Sequence, residues 1–414
     1  MFQTLINAFK VKEMRKKLLF TLFILVLYRL GSAIPIPGVN AAYVASQVDS
    51  YSMLGFLDLL SGGSFSDYSL FAMGVTPYIT GSIVINLLTI AIPALERLSK
   101  QEDGRQKIDR ITRFTGIGLA LVQSVGIILG LGASAVVSTS FFNYAAIGII
   151  STAGTAILVW LGEQINDKGI GNGISLLIFA SIVSQVPKAV ITWFNTLPWW
   201  LLIVMLVLIV LIVVLVVLID QSERRIPVQY AKRVVGRKMY GGNSTNIPIK
   251  PNANGVMALI FAITILQLPA MIAQFVPNSG FYNFYTQYLG TRSWIYYVVY
   301  ALLILAFNYF YTSVSFNPIE ISKNLQQYGG FIPGIRPGRP TSDYIHHISG
   351  RLCLFGALFL MIIAIVPTVL FNVMGTTSPF GATSVLIMVS VALETMNQLE
   401  NQMMMRHYKG FLNN

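Results

Sequence analysis

Ten long apolar runs alternate with shorter polar segments along the whole chain. Each run has 17 to 23 residues, and a transmembrane helix needs about 20 apolar residues. The pattern therefore predicts an all-α, polytopic membrane protein with ten transmembrane helices. The runs are residues 18–34, 70–92, 116–137, 145–161, 174–194, 199–219, 256–276, 294–316, 352–371 and 383–403.

Two further segments are apolar but cannot cross a membrane. Within residues 1–17, apolar residues recur at helical spacing among lysines, which predicts a cytoplasmic helix lying at the membrane interface. Residues 54–69 are too short to span, and Gly62 and Gly63 interrupt them. They form either an external loop or a re-entrant element that lines a cavity. The interfacial pattern consists of Phe2, Leu5, Ile6 and Phe9.

Composition and charge exclude an ordinary soluble protein and set the topology. Of the 414 residues, 55% are hydrophobic and 11% are charged, with a mean hydropathy of +0.67, whereas an average soluble domain is about a quarter charged. The net charge is +12, and 25 of the 28 Lys and Arg residues lie in alternate segments between the runs. Because cytoplasmic loops carry the excess of basic residues, this asymmetry predicts that both termini are cytoplasmic.

The sequence contains no pattern that indicates catalysis. The three histidines, His346, His347 and His407, fall in predicted cytoplasmic segments, and Cys353 is the sole cysteine. Zinc-protease, dithiol and phosphate-loop signatures do not occur. We therefore expect neither an enzyme nor a bound cofactor or metal, and an ATP-driven process would need an ATPase on another chain.

Few polar side chains lie within the apolar runs. Arg29 and Glu394 are near the ends of their runs, where they can reach the interface or pair. The amides of Asn86, Gln123 and Gln267 lie deeper, and each is unfavourable in lipid without a partner. Two interpretations stay open: the amides bond one another across helices, or each bonds a nearby backbone group.

Two long cytoplasmic segments, 220–255 and 317–351, interleave basic residues with prolines, glycines and aromatics. Their length and turn chemistry exceed what topology control requires, so we interpret them as docking loops. An acidic protein surface or RNA phosphate could be the partner of such loops. The candidate docking residues are Arg224, Arg225, Lys232, Arg233, Arg237, Lys238, Arg336 and Arg339.

Six sequence blocks carry a resemblance to a known family. They are YRLGSAIPIPG, FSDYSLFAMGVTPYITGSIV, LGEQINDKGIGNGIS, RRIPVQYAKR, FNPIEISKNL and GFIPGIRPGRPT, in this order along nearly the whole chain. On these blocks the chain resembles the bacterial SecY family. The resemblance implies an hourglass channel of two five-helix halves, residues 18–195 and 196–414, with a re-entrant plug at about residues 54–65.

The resemblance also implies roles for particular residues. Plug positions are Leu54, Phe56, Leu57, Leu60, Gly62 and Gly63. A ring that pinches the pore corresponds to Val75, Ile79, Ile178, Ile260, Thr264 and Ile387. Thr264 departs from an all-aliphatic ring because of its hydroxyl. The three amides become candidates for a polar latch in a lateral gate, which lies between the second and third spans on one side and the seventh and eighth on the other.

The function implied by the resemblance is that of the central subunit of a Sec translocon. Such a subunit passes unfolded preproteins across the bacterial plasma membrane and releases hydrophobic segments into lipid. The implied partners are the SecE and SecG subunits, the SecA motor ATPase, the ribosome, preprotein signal sequences, nascent membrane proteins, membrane lipid, a membrane insertase and accessory Sec subunits. Arg336 matches a position that couples the motor. The alternative is a secondary transporter of a small solute, which would need a midplane site that the sequence does not display.

Overall fold

The computed structural model describes most of the chain. Outside the described residues lie 1–5, 7, 51, 100, 102, 231–232, 236–237, 241–243, 253–256, 276–278, 291–292, 374–381 and 413–414. In chain order the elements are α1 (Lys12–Ser32), α2 (Ala41–Ser50), α3 (Ser52–Ser61), α4 (Thr76–Ala91), α5 (Pro93–Ser99), α6 (Gly104–Leu131), α7 (Phe141–Lys168), α8 (Gly173–Thr196), α9 (Trp199–Gln221), β1 (Arg224–Tyr230), β2 (Arg233–Val235), β3 (Lys238–Tyr240), β4 (Ser244–Ile249), α10 (Met257–Phe275), α11 (Gly280–Phe284), α12 (Trp294–Ser315), α13 (Pro318–Gln327), β5 (Gly330–Phe331), α14 (Arg339–Val373) and α15 (Ala382–Leu412).

The predicted apolar runs coincide with helices α1, α4, α6 to α10, α12, α14 and α15. By length and composition, six helices among the described residues can cross a membrane, or seven if α4 and α5 are one span bent by 103°. Pro269 divides α10, leaving Met257–Pro269 as a shorter apolar helix. The chain is therefore a multi-pass membrane protein, and the full count of ten spans stays a prediction.

The interfacial helix predicted at residues 1–17 stays a prediction, although part of this stretch packs on the bundle. Phe2 and Leu5 lie outside the described residues, whereas Ile6 and Phe9 are exposed. Ala8 and Met14 are buried in a small cluster with Ile170 and Leu399. This stretch therefore packs on one end of the bundle as well as presenting apolar side chains outward.

A small β-sheet occupies the segments that we interpreted as docking loops, so the fold is mostly helical rather than purely α. β1 pairs antiparallel with β4 on one side and with β5 on the other. Ile226 and Val228 alternate with exposed neighbours and enter a core with Ile249, Leu325 and Ile345. The alternation of apolar and polar residues in β1 was not recognised in the sequence, because proline and charged residues surround it. The two predicted loops thus form one packed unit with α13.

One large apolar core runs through the bundle and includes residues of α1, α4, α8, α9, α10, α12, α14 and α15. Helix α10 packs against α4, α6 and α12, while α8 packs against α3, α7 and α15. A second core of 36–147, on the other side of α3, contains Leu54, Leu57 and Phe65. Residues 54–60 therefore lie between two apolar clusters.

Glycine at position 154 allows α7 to approach the chain before α4. A Cβ at Gly154 would overlap the backbone oxygen of Leu70, which cannot rotate away. We predict that Gly154→Ala destabilises the fold by about 1–3 kcal/mol, the usual cost of overpacking, and lowers the thermal unfolding midpoint in detergent. Gly118→Ala in α6 is the matched control, since nothing lies within 4 Å of its Cβ position. Equal midpoints for the two variants would contradict the packing.

Candidate functional site

The six residues predicted to form the pore ring are all buried, with exposed fractions between 1% and 8%. Val75 immediately precedes α4, and Ile79 lies one turn later on the same face. Ile178 lies on α8, Ile260 on α10 and Ile387 on α15; these five residues belong to the same core cluster. The structure thus brings the predicted ring residues together from four helices that are far apart in sequence.

Thr264, the polar member of the set, has its hydroxyl occupied. Its Oγ1 donates a hydrogen bond to the carbonyl oxygen of Ile260 at 2.7 Å, within α10. A threonine bonded in this way presents its methyl group to the surroundings while the polar group stays paired. The departure from an aliphatic ring is therefore chemically small.

A cavity of about 200 Å³ lies against three of the ring residues. Ile79, Ile178 and Ile260 line its apolar part, while Asn166 and Asn172 contribute amides. Both amides are held by backbone groups at the beginning of α8: Asn166 accepts from Gly173 N at 2.7 Å, and Asn172 accepts from Ser175 N at 3.4 Å. The cavity therefore has both polar and aliphatic lining residues.

Helix α3 contains most of the residues that are predicted to form the plug. Leu54, Leu57 and Leu60 are buried, and the side chain of Phe56 lies outside the described residues. Leu60 belongs to the same core cluster as Val75 and the other aliphatic ring residues. The chain leaves α3 through Gly62 and Gly63, whose φ angles of +70° and +88° favour glycine. The predicted break after residue 61 is therefore a real turn inside the protein.

The end of α3 is held by side chains from α1 and α8. Tyr28 donates its hydroxyl to the carbonyl oxygen of Ser61 at 2.9 Å and lies 2.6 Å from Ser181 Oγ. Arg29 donates from Nη1 to the carbonyl oxygen of Gly62 at 3.1 Å, and Ser184 donates to the same oxygen at 3.4 Å. These bonds satisfy carbonyl groups that the helix end leaves without intrahelical partners. We call this set of hydrogen bonds the α3 latch; it is separate from the polar latch predicted for the lateral gate.

A buried carboxylate joins α3 to the turn that follows it. The backbone N–H of Ser66 donates to Asp58 Oδ1 at 2.7 Å. Burial raises the pKa of the Asp58 carboxyl, whereas the hydrogen bonds from Ser66 and the charge of Lys188 act in the opposite direction. The carboxyl therefore acts as a fixed acceptor that folds the turn back onto α3.

The three predicted latch amides do not meet one another. Among the described residues, no hydrogen bond joins any two of Asn86, Gln123 and Gln267; Gln123 is buried in α6, and Gln267 is half-buried in α10. Asn86 Nδ2 instead donates to Ser82 Oγ at 3.5 Å within α4, and the Asn86 side chain also lies beside the Tyr311 side chain of α12. Tyr311 also lies against Phe261 of α10, with ring centroids 4.8 Å apart. One tyrosine therefore connects α4, α10 and α12, a role that the sequence did not indicate because Tyr311 lies in an aromatic run.

Four of the candidate docking residues, Arg224, Arg225, Arg336 and Arg339, are exposed around the small sheet. Lys232 and Arg237 lie outside the described residues, and Arg233 and Lys238 belong to β2 and β3, whose side chains are not described. The carbonyl of Arg336 accepts from Thr341 Oγ1 at 2.8 Å, which shapes the turn while the guanidinium stays outside. In the part of the chain that the structure describes, no cluster of three metal-ligating residues occurs.

Comparison with known proteins identifies relatives over the full chain. A family model described as SecY matches residues 69–396. The protein translocase subunit SecY of Streptomyces galbus is 44% identical over 430 residues, which cover 98% of each chain. The SecY subunit of Corynebacterium glutamicum is 40% identical over 437 residues, with 99% of each chain covered, and that of Mycobacterium bovis is 40% identical over 440 residues, with complete coverage of both.

Solved structures share the fold. A protein-conducting channel matches with a TM-score of 0.63, and a SecY protein whose plug domain stabilises the closed channel matches with 0.64. Each is 18% identical to this chain and covers 94% of it, and the match covers 92% of each solved chain. Sec61 from a canine ribosome–channel complex has a TM-score of 0.59 at 18% identity, with the same coverage.

The α3 latch generates a prediction about the mobility of residues 62–69. Tyr28→Phe leaves the buried Ser61 carbonyl without its donor, which typically costs about 1–3 kcal/mol. We expect a cysteine at Ser64, which is 1% exposed, to react with a maleimide about tenfold faster when Tyr28 is Phe in a Cys353→Ser background.

The matched control for this measurement is Tyr43→Phe, whose hydroxyl makes a longer bond of 3.5 Å to Leu131 O. This variant should leave the labelling rate of the Ser64 cysteine unchanged. Equal rates for Tyr28→Phe and Tyr43→Phe would show that the Tyr28 hydroxyl does not hold the end of α3.

Proposed function

The chain belongs to the SecY family, and from that premise we propose how its residues close and open a protein-conducting channel. It is a protein translocase channel subunit and not an enzyme. A secondary transporter is not favoured, because the relatives over the full chain are protein translocase subunits and the buried residues gathered from four helices are mainly aliphatic rather than charged. The observation that carries the proposal is a set of six buried residues from four helices, three of which line a cavity of about 200 Å³.

We propose that the ring Val75, Ile79, Ile178, Ile260, Thr264 and Ile387 is the seal of the resting channel. A hydrophobic constriction can block ions because water leaves it, and no charged group is needed. The burial of all six residues and the pairing of the Thr264 hydroxyl support this role. Aliphatic side chains can also move apart around a polypeptide without breaking hydrogen bonds.

Residues 54–65 are proposed to be the plug, a second barrier on the external side of the ring. The contact of Leu60 with the ring cluster and the placement of α3 between two apolar cores support this assignment. The plug belongs to the half formed by residues 18–195, which the proposal pairs with residues 196–414 in a bundle of ten spans. Opening then requires the α3 latch to release Ser61 and Gly62.

The proposed lateral gate separates α4 and α6 from α10 and α12. Helix α10 packs against both α4 and α6, and the Asn86–Tyr311 contact crosses the gate between α4 and α12. Gln123 and Gln267 stay candidates for polar contacts that form in another state. A signal sequence or a nascent membrane segment would enter between these helices and reach lipid through them.

The exposed face of the sheet and α13 is the proposed docking platform. Ribosome-bound Sec61 and Ssh1 channels share the fold, so a ribosome is one partner, and the SecA motor ATPase is the other. SecE and SecG subunits, a membrane insertase and accessory Sec subunits are proposed to complete the assembly. The proposed location is the bacterial plasma membrane with both termini in the cytoplasm, as the distribution of basic residues favours.

The seal predicts the outcome of a double substitution. Ile79→Ser with Ile178→Ser should wet the constriction and raise the ion conductance of idle channels in planar bilayers at least about tenfold. The measurement should be repeated after deletion of residues 54–65, because the plug can mask a leak. Preprotein transport by the same variants is measured in parallel. A variant that leaks ions but still transports preprotein has lost the seal without losing its function.

The control for the seal is Val207→Ser with Leu211→Ser on α9, whose side chains are 62% and 52% exposed. This control also replaces two aliphatic side chains with serine, but its two positions lie one turn apart on a single helix and face away from the core. The conductance of the Ile79 and Ile178 double variant should also be measured with the plug deleted. If it is then still as low as that of the parent, these residues do not form the seal.

The proposed docking platform predicts the effect of a charge reversal at Arg336. Arg336 is exposed, so Arg336→Glu should leave the fold intact while weakening a partner contact by about 1–3 kcal/mol, the range for an interface arginine. We expect ATP-driven preprotein transport into vesicles to fall about tenfold. Arg336→Lys, which keeps the charge, should retain most of the transport. Full transport by Arg336→Glu would remove Arg336 from the docking platform.

A further inference from the structure

A cavity of about 220 Å³ lies away from the ring, where β4 meets α12 and α14. Residues 248–251 form one wall, Thr312 and Phe316 form a second, and Ser349 and Cys353 form the third. Three elements that are distant in sequence therefore enclose it. The volume suits a molecule smaller than a typical drug, whose pockets measure about 300–1,000 Å³.

The wall formed by α14 presents unused hydrogen-bonding capacity. Ser349 is 7% exposed and lines the cavity, yet its hydroxyl makes no hydrogen bond among the described residues. The hydroxyl therefore faces the cavity and is available to a hydrogen-bonding group of a molecule bound there.

The thiol of Cys353 lies on the same wall, one helical turn from Ser349. Cys353 is 2% exposed and donates from Sγ to Thr312 Oγ1 at 3.3 Å. Its backbone carbonyl accepts from Asn308 Nδ2 at 3.0 Å, which fixes this part of α14 against α12. The sulfur is thus held in a defined position at the cavity, although bulk solvent hardly reaches it.

The other walls define the rest of the ligand. Phe316 and Ile249 supply apolar surface, and the exposed Lys250 stands at the rim with a positive charge. Asp220 also feels the charge of Lys250, but it does not line the cavity. An apolar body with one carboxylate matches this combination, because the carboxylate can accept from Ser349 and face Lys250.

We propose that this cavity is a binding site for a small apolar carboxylate, with Ser349 and Lys250 as its polar contacts and Cys353 in its wall. The site does not depend on how the channel is gated. Its position is nevertheless relevant to the gate, since Thr312 follows Tyr311, the residue that contacts Asn86 and Phe261. A ligand there would touch the same helix.

The native cysteine provides the test in the full-length chain within its membrane complex. N-ethylmaleimide adds to the Cys353 sulfur through its carbon–carbon double bond, and the thiol proton ends on the neighbouring carbon. We expect labelling in the folded protein, measured by intact mass, and at least fivefold slower labelling with phenylacetate as the probe. Phenylethanol, which lacks the charge, should protect less.

Matched variants decide the outcome. Ser349→Ala and Lys250→Gln should keep the labelling rate but lose phenylacetate protection, whereas Ser349→Leu should fill the cavity and slow labelling without a ligand. Cys353→Ser with Gln326→Cys, an exposed position on α13, should label equally with and without phenylacetate. No labelling before denaturation, or equal protection in all variants, would overturn the proposal.

Discussion

The turn after α3 imposes a constraint on which the packing of three helices depends. A chain that reverses inside an apolar bundle leaves carbonyl groups that water cannot solvate, and each unpaired group costs about 1–3 kcal/mol. Tyr28, Arg29 and Ser184 supply the missing donors. The relative positions of α1, α3 and α8 are therefore determined by polar bonds, although apolar burial supplies most of the surrounding contact.

The proposed plug and the proposed ring are closed by different kinds of interaction. The latch consists of directed hydrogen bonds, which contribute about 0.5–1.5 kcal/mol each and can be replaced by water. The ring consists of aliphatic contact, which has no direction and re-forms in many side-chain arrangements. A channel that must open around many different polypeptides benefits from this division. The latch defines one resting state, and the ring tolerates many open ones.

The sequence predicted the helices, whose apolar pattern recurs along the chain. It did not predict features that depend on a contact between two particular residues. The apolar runs predicted the helices because a helix that crosses a membrane is apolar on every side, facing either lipid or neighbouring helices. The strand β1 was missed because Ile226 and Val228 alternate within a segment rich in basic residues and proline. The resemblance supplied the ring residues, whose spacing of four at 75 and 79 is typical of one helix face. Nothing in the sequence distinguished Tyr311 from its aromatic neighbours, since its role comes from the approach of Asn86 across the bundle.

The Asn86–Tyr311 contact bears on how the proposed lateral gate can work with few polar groups between its helices. Even a full interhelical hydrogen bond in a membrane contributes only about 0.6 kcal/mol on average, so the approach of Asn86 to Tyr311 cannot hold the proposed gate closed alone. Tyr311 also packs on Phe261, and the aromatic surface adds a second, apolar contribution at the same point. Burying one large apolar side chain contributes about 1.5–3 kcal/mol, which exceeds the average hydrogen bond. An inserted hydrophobic helix can therefore replace both contacts with its own burial, whereas a polar segment cannot. The proposed gate would distinguish the two kinds of segment by this difference in burial energy.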